Sequence, residues 1–185
     1  MPSTVGPEAP PEQPLAMRWS IGRVLTVIVA IAMVLFWIWI LSGGPAHPNP
    51  DRLDDRAFAA RTEQRCTNLL DELKKLPGAG DFKSADQRAD VLDQANAMVT
   101  TMVDEIEADA PKTGADAVRV KAWLSDWRIY IQDREEYASA LRTNPDAKLV
   151  ISVNPKLKDG VDQTIGVFAH DANDIDDCAT PGDVG

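Results

Sequence analysis

The apolar positions change rhythm along this chain. From Val24 to Leu41 (VLTVIVAIAMVLFWIWIL) they are nearly continuous, and no charge interrupts them. Eighteen residues at 1.5 Å rise give about 27 Å of helix, close to the ~30 Å hydrocarbon thickness of a bilayer. With Ile21 and Gly22 added, the pattern predicts one transmembrane helix over 21–41. Trp19 stands near one end of the run and Trp37 and Trp39 near the other, where interfacial aromatics collect. A buried core helix is a poor alternative for so long an uncharged stretch. A cleavable signal peptide is the sharper rival, but its apolar region normally spans about 7–15 residues. A cut after Gly44 would place Pro45 directly beyond the scissile bond, which leaves a cut after Ala46 as the conceivable one.

Periodicity is absent on both sides of that run. Residues 1–20 include Pro2, Pro7, Pro10, Pro11 and Pro14 and are expected to be a disordered cytoplasmic tail. Residues 42–50 (SGGPAHPNP) break the helix and read as a short Pro/Gly stalk.

From residue 51 to 185 the rhythm becomes that of amphipathic helices. Phe58, Thr62, Cys66, Leu69, Leu70, Leu73 and Leu76 share one face, which Pro77-Gly78 terminates. Ser84 with Gln87 reads as a capping box for a second helix, whose face is Leu92, Ala95, Val99, Met102 and Ile106 before Pro111. A third helix begins near Thr113–Asp116 and runs to about Arg142. A β-prone run from Leu149 to Val153 follows, closed by Pro155. The last helix carries Val161, Ile165, Phe168, Ala172 and Ile175. The expected fold class is all-α: an N-terminal transmembrane helix, then a small four-helix bundle-like domain with at most one short strand. About 135 residues suffice for a proper core.

Cys66 and Cys178 are the only cysteines. In a cytosolic domain they would be two free thiols, and outside the cytosol they would form one disulfide. Neither has a second close ligand for a metal.

The stretch WLSDWRIYIQDREEYASAL departs most from a plain helix. At 100° per residue Trp123, Trp127, Tyr130, Arg134 and Tyr137 fall in one stripe, flanked by Asp126 and Asp133. Each aspartate lies one turn before a tyrosine. Two readings are open. Packed into the bundle, the aromatics form core, and Arg134 then needs a carboxylate or an aromatic partner. Left open, the seven residues form a groove for a cationic or amphipathic ligand or a partner helix.

The order of anchor, Pro/Gly stalk and helical domain accompanies W-x3-W-x2-Y-x3-R-x2-Y-A at Trp123, Trp127, Tyr130, Arg134, Tyr137 and Ala138. A terminal F-A-x3-N-x4-C-A-x-P-x-D-V follows at Phe168, Ala169, Asn173, Cys178, Ala179, Pro181, Asp183 and Val184. Over residues 20–184 the chain resembles a group of uncharacterised actinobacterial single-pass membrane proteins. The resemblance implies a helical extracytoplasmic domain and lends no catalytic residue.

Charge narrows the role further. Glu8 and Glu12 cancel Arg18 and Arg23, so the whole net charge of −10 falls on the domain after the stalk. Such a domain is no nucleic-acid binder, and next to an anionic membrane it is expected to be repelled. Two arginines flank the span on each side, Arg18 and Arg23 lying nearer to it than Arg52 and Arg56, which favours a cytoplasmic N-terminus. His47 and His170 are the only histidines, and no nucleophile, phosphate-loop or zinc motif occurs. The acidic run 171–177 lacks the glycine turn and distal glutamate of a calcium loop. No metal, cofactor or catalytic residue is expected. The leading expectation is a non-enzymatic accessory or interaction module of the cell envelope with a protein partner there. The alternative is an extracytoplasmic ligand-binding or sensing domain using the aromatic/acidic face.

Overall fold

The computed structural model describes residues 20–42, 49–78 and 81–182. The expected tail up to residue 19, stalk residues 43–48, and Asp183 and Val184 lie outside the described residues. The chain divides into two units, residues 1–47 and 48–185, each taken by itself below.

The first unit contains α1, Ile21–Leu41. Ser20 starts it by accepting from the Arg23 amide at 3.3 Å, and the Ser42 amide donates to Ile38 O at 2.8 Å at its end. None of its side chains is buried. The expected boundaries and the helix coincide.

In the second unit α2 is Arg56–Leu73, α3 is Ala85–Asp109, α4 is Gly114–Leu141 and α5 is Val161–Gly166. The domain is all-α and bundle-like: α3 and α5 pack on α4, and α2 packs on α3. Phe58 and Leu69 of α2, Val99 and Ile106 of α3, Trp127 of α4 and Ile165 of α5 meet in the main core. A smaller cluster of Leu92, Tyr137 and Leu141 closes the far end of the α3–α4 pair.

Local sequence accounts for the helix starts. The Asp55 carboxylate accepts from the Phe58 amide at 2.8 Å, and Ser84 Oγ accepts from the Gln87 amide at 3.2 Å. Gln87 reaches back to the Lys83 amide at 2.9 Å, one residue before the position a capping box would use. Gly114 opens α4 at φ +85°, a conformation that favours glycine.

Two expectations need correction. Leu149–Val153 is not a strand: its only ladder pairing among the described residues is the bridge between Val153 and Gly160. Other partners claim its polar groups, as described below. The last helix also ends early. α5 widens after Gly166 into a π-helical turn, Val167–Ala172, and a 3-10 turn follows at Asp176–Cys178. The buried Asn173 side chain donates to Phe168 O at 2.9 Å, and the Ile175 amide donates to Ala169 O at 3.0 Å. These long-reach bonds replace the α-helical i to i−4 pattern while Ile175 stays buried.

Cys66 of α2 and Cys178 are joined in a disulfide across 112 residues, with Cα atoms 5.1 Å apart. The bond ties the end of the chain to the first helix of the domain.

Candidate functional site

α4 carries the polar side chains that the core has to accommodate. Trp123, Asp126, Trp127, Tyr130, Asp133, Arg134 and Tyr137 are all buried. The stripe is therefore packed interior, and the open aromatic and acidic groove is not its geometry. Trp123 stacks on Phe168 with centroids 5.0 Å apart and donates from Nε1 to Ile165 O at 3.3 Å. Trp127 makes edge contacts with Trp123 and Tyr130 at 6.2 and 5.9 Å. The Arg88 guanidinium lies over the Tyr137 ring, 5.6 Å from its centroid.

Three carboxylates of α4, those of Asp116, Asp126 and Asp133, each hold a segment that is not helical. Asp116 accepts from the Asp54 amide at 3.0 Å and the Asp55 amide at 2.9 Å, and Arg119 donates to it at 2.8 Å. Desolvation pushes the Asp116 pKa up, but the two amides and Arg119 together outweigh it and hold the group below the usual carboxylate value. Asp126 accepts from Asn154 Nδ2 at 2.8 Å and from Thr164 Oγ1 at 2.6 Å. Asp133 accepts from the Ser152 amide at 2.8 Å and from its hydroxyl at 2.7 Å. These bonds draw the 149–160 loop onto α4 through its polar side chains.

Arg134 is 1% exposed, and no carboxylate pairs with it among the described residues. Its Nε donates to Asn96 Oδ1 at 2.7 Å, and its Nη1 donates at 3.3 Å to both Tyr130 Oη and Gly182 O. Tyr130 Oη donates in turn to Pro181 O at 2.7 Å. The two residues therefore clasp the Pro181–Gly182 segment, much as the aspartates clasp the other loops.

Sequence reasoning missed Asn96, Asp116, Ser152, Asn154 and Thr164. Asn96 was the most accessible of these, a polar residue next to Ala95 on the apolar face of α3. The others become visible only once distant segments meet.

Two cavities reach this region of the domain. One of about 210 Å³ is lined by Trp123, Asp126, Asn154, Leu157, Thr164 and Phe168 among others. The other, about 470 Å³, lies where the C-terminal end of α3 faces α4, with Pro111, Lys121, Leu124 and Ser125 in its wall. Its Arg128 is engaged by Asp104 and by Glu107. Among the described residues no three His, Cys, Asp or Glu side chains converge as metal ligands. The acidic run 171–177 is dispersed onto separate partners. Asp174 pairs with Arg52 and Arg56, Asp177 accepts from Thr67 Oγ1, and Asp176 faces His170. The hydrogen bond to Asp176 raises the His170 pKa above its ordinary value.

No protein-family model, curated protein or solved structure matches the chain.

Proposed function

We propose that this chain is a bitopic membrane protein whose helical domain stands outside the cytoplasm as a non-enzymatic accessory or interaction module of the cell envelope. The observation that carries the reading is α1: 21 residues, uncharged from Val24 to Leu41, with no side chain buried. An apolar surface of that length has a hydrocarbon bilayer as its natural solvent. The Cys66–Cys178 bond supports placing the domain on an oxidising side, because cytosolic thiols are kept reduced. The buried carboxylates support a structural use of α4, since each is occupied by an internal donor.

The test has two parts. A membrane-impermeant maleimide applied to intact cells should label Glu72→Cys in the exposed part of α2, while the full-length mass stays in the membrane fraction. Labelling only after lysis would overturn the orientation, and loss of the N-terminal segment from the mature mass would overturn the anchor. Crosslinking in native membranes should then capture a defined envelope protein.

The 210 Å³ recess beside Trp123 and Asp126 favours a second reading, a small-ligand site of the same domain. Substitution of Leu157→Trp should fill it, and unchanged recovery of any ligand after that change would remove the idea.

A further inference from the structure

The loop between α4 and α5 is tied down by two of its polar side chains: Ser152 bonds to Asp133 and Asn154 to Asp126, both aspartates being buried on α4. Backbone bonds fix the same shape, with the Asn154 amide donating to Asp159 O at 2.8 Å and the Lys158 amide to Asn154 O at 2.9 Å. Ile151 packs against the core. Leu149 packs on the smaller cluster, and three other apolar side chains face solvent: Val150 is 77% exposed, Val153 59% and Leu157 62%. Scattered single apolar residues on a surface are ordinary, but three on one loop held by buried polar anchors mark a contact surface.

Charge says what the contact is. The stretch from Lys148 to Lys158 (KLVISVNPKLK) has three lysines and no carboxylate, with Asp146 and Asp159 just outside it, in a chain of net charge −10. Elsewhere the surface cations are largely spent on carboxylates: Arg56 on Asp174, Arg61 and Arg65 on Asp109, Arg128 on Glu107 and Arg142 on Asp93. Lys148, Lys156 and Lys158 are exposed and enter no ion pair among the described residues. Protein interfaces favour aromatic residues, Met and Arg and are depleted in Lys. Aliphatic side chains interleaved with lysines suit a lipid headgroup layer instead, where the stems lie among acyl chains and the ammonium groups reach phosphate.

We propose that this loop is a docking element for an anionic bilayer surface, with Val150, Val153 and Leu157 entering the interface and the three lysines meeting lipid phosphates. The proposal rests on the reading of α1 as a membrane span, which keeps the domain tethered near a bilayer. It also refines the expected repulsion of an acidic domain. Surface potentials fade within a Debye length of about 8–10 Å, so the loop that touches the membrane counts for more than the net charge behind it.

The full chain, reconstituted into lipid nanodiscs, tests it. One environment-sensitive fluorophore is placed at Val150→Cys and, in a separate preparation, at Val34→Cys within α1. The nanodiscs contain phosphatidylcholine alone or mixed with phosphatidylglycerol. The Val34 probe is expected to report an apolar environment in both. The Val150 probe is expected to shift toward an apolar environment with phosphatidylglycerol and much less without it. Neutralising the cations together (Lys148→Gln, Lys156→Gln, Lys158→Asn) should weaken the response by about tenfold or more. An unshifted Val150 probe beside a shifted Val34 probe overturns the docking proposal and leaves the span intact, as does an equal response to both lipids. A Val150 probe that is covered only in native membranes assigns the loop to a protein partner and also overturns it. A Val34 probe in water overturns the span reading instead. The loop is then judged by flotation of the same protein with liposomes of the two compositions, where binding without lipid preference overturns it.

Discussion

The Arg134 guanidinium on α4 donates through Nε to the side-chain oxygen of Asn96 on α3 at 2.7 Å, in the interior of the domain. A buried cation is ordinarily matched by a carboxylate, yet here its partners among the described residues are an amide, a tyrosine hydroxyl and a backbone carbonyl. Neutral acceptors do not cancel the charge, so each bond that remains matters more. Asn96→Ala should therefore destabilise the domain by about 2–3 kcal/mol. Arg134→Met with Asn96→Leu should cost less than the sum of the single changes, because the buried charge leaves together with its acceptor. Urea unfolding of the four proteins in detergent, followed by tryptophan near-UV circular dichroism, reads the coupling. Additive costs would show that the two side chains are independent.

The disulfide closes a loop defined by a sequence separation of 112 residues. On chain-entropy grounds a loop of that order is worth up to about 5 kcal/mol, with measured values often smaller. Cys66→Ala with Cys178→Ala should lower the melting temperature without changing helical content. Intact mass of the wild-type protein should be two hydrogens below that of its reduced form. Two alkylatable thiols in native membranes would contradict the bond.

Asp116 links the start of α4 to the segment leading into α2 and is held below its ordinary pKa. A carboxylate lowered in the folded state contributes stability that is complete above its unfolded value, near 3.9, and is lost as pH falls through the lower folded value. Wild-type stability should thus decline on acidification below about pH 4, and Asp116→Asn should flatten that part of the profile. At neutral pH the same variant should be less stable by about 1–3 kcal/mol. Equal acid profiles for the two proteins would exclude this carboxylate as a source of acid lability.

Gly114 and Gly166 both have open space where a Cβ would stand, but their backbones differ. Gly114 is at φ +85°, while Gly166 is helical at φ −63°. Gly114→Ala should destabilise by about 1 kcal/mol or more, from conformation alone. Gly166→Ala should stabilise by about 0.4–1 kcal/mol, by restricting the unfolded chain. Thermal melts of the two variants should move in opposite directions.

Helix by helix, the sequence was a good guide where contacts are local. The apolar helix, the stop before Pro111 and the Ser84 cap all depend on residues within a turn of one another, whereas α2 ends at Leu73, ahead of the stop expected at Pro77-Gly78. It was a poor guide at Leu149–Val153, where β-branched residues signal a strand. Among the described residues no neighbouring strand pairs with them, and Asp133 takes up Ser152 instead. The widened turn after Gly166 was equally hidden, because Asn173 reaches out of it to the Leu53 amide at 2.8 Å, 120 residues away.

By itself the sequence determined an apolar helix long enough to cross a membrane, an acidic all-α domain and a single pair of cysteines. These follow from hydrophobic periodicity, turn residues and composition, which are properties of short windows. Only the tertiary structure decided that the Trp123–Tyr137 stripe is core, that Asn96 receives Arg134, and that Val150, Val153 and Leu157 of the loop after α4 are exposed. Periodicity places a side chain on a face but does not say what covers that face. Here the cover comes from segments tens of residues away, and their polar groups follow the buried carboxylates of α4 because an unpaired buried charge costs more than an exposed valine.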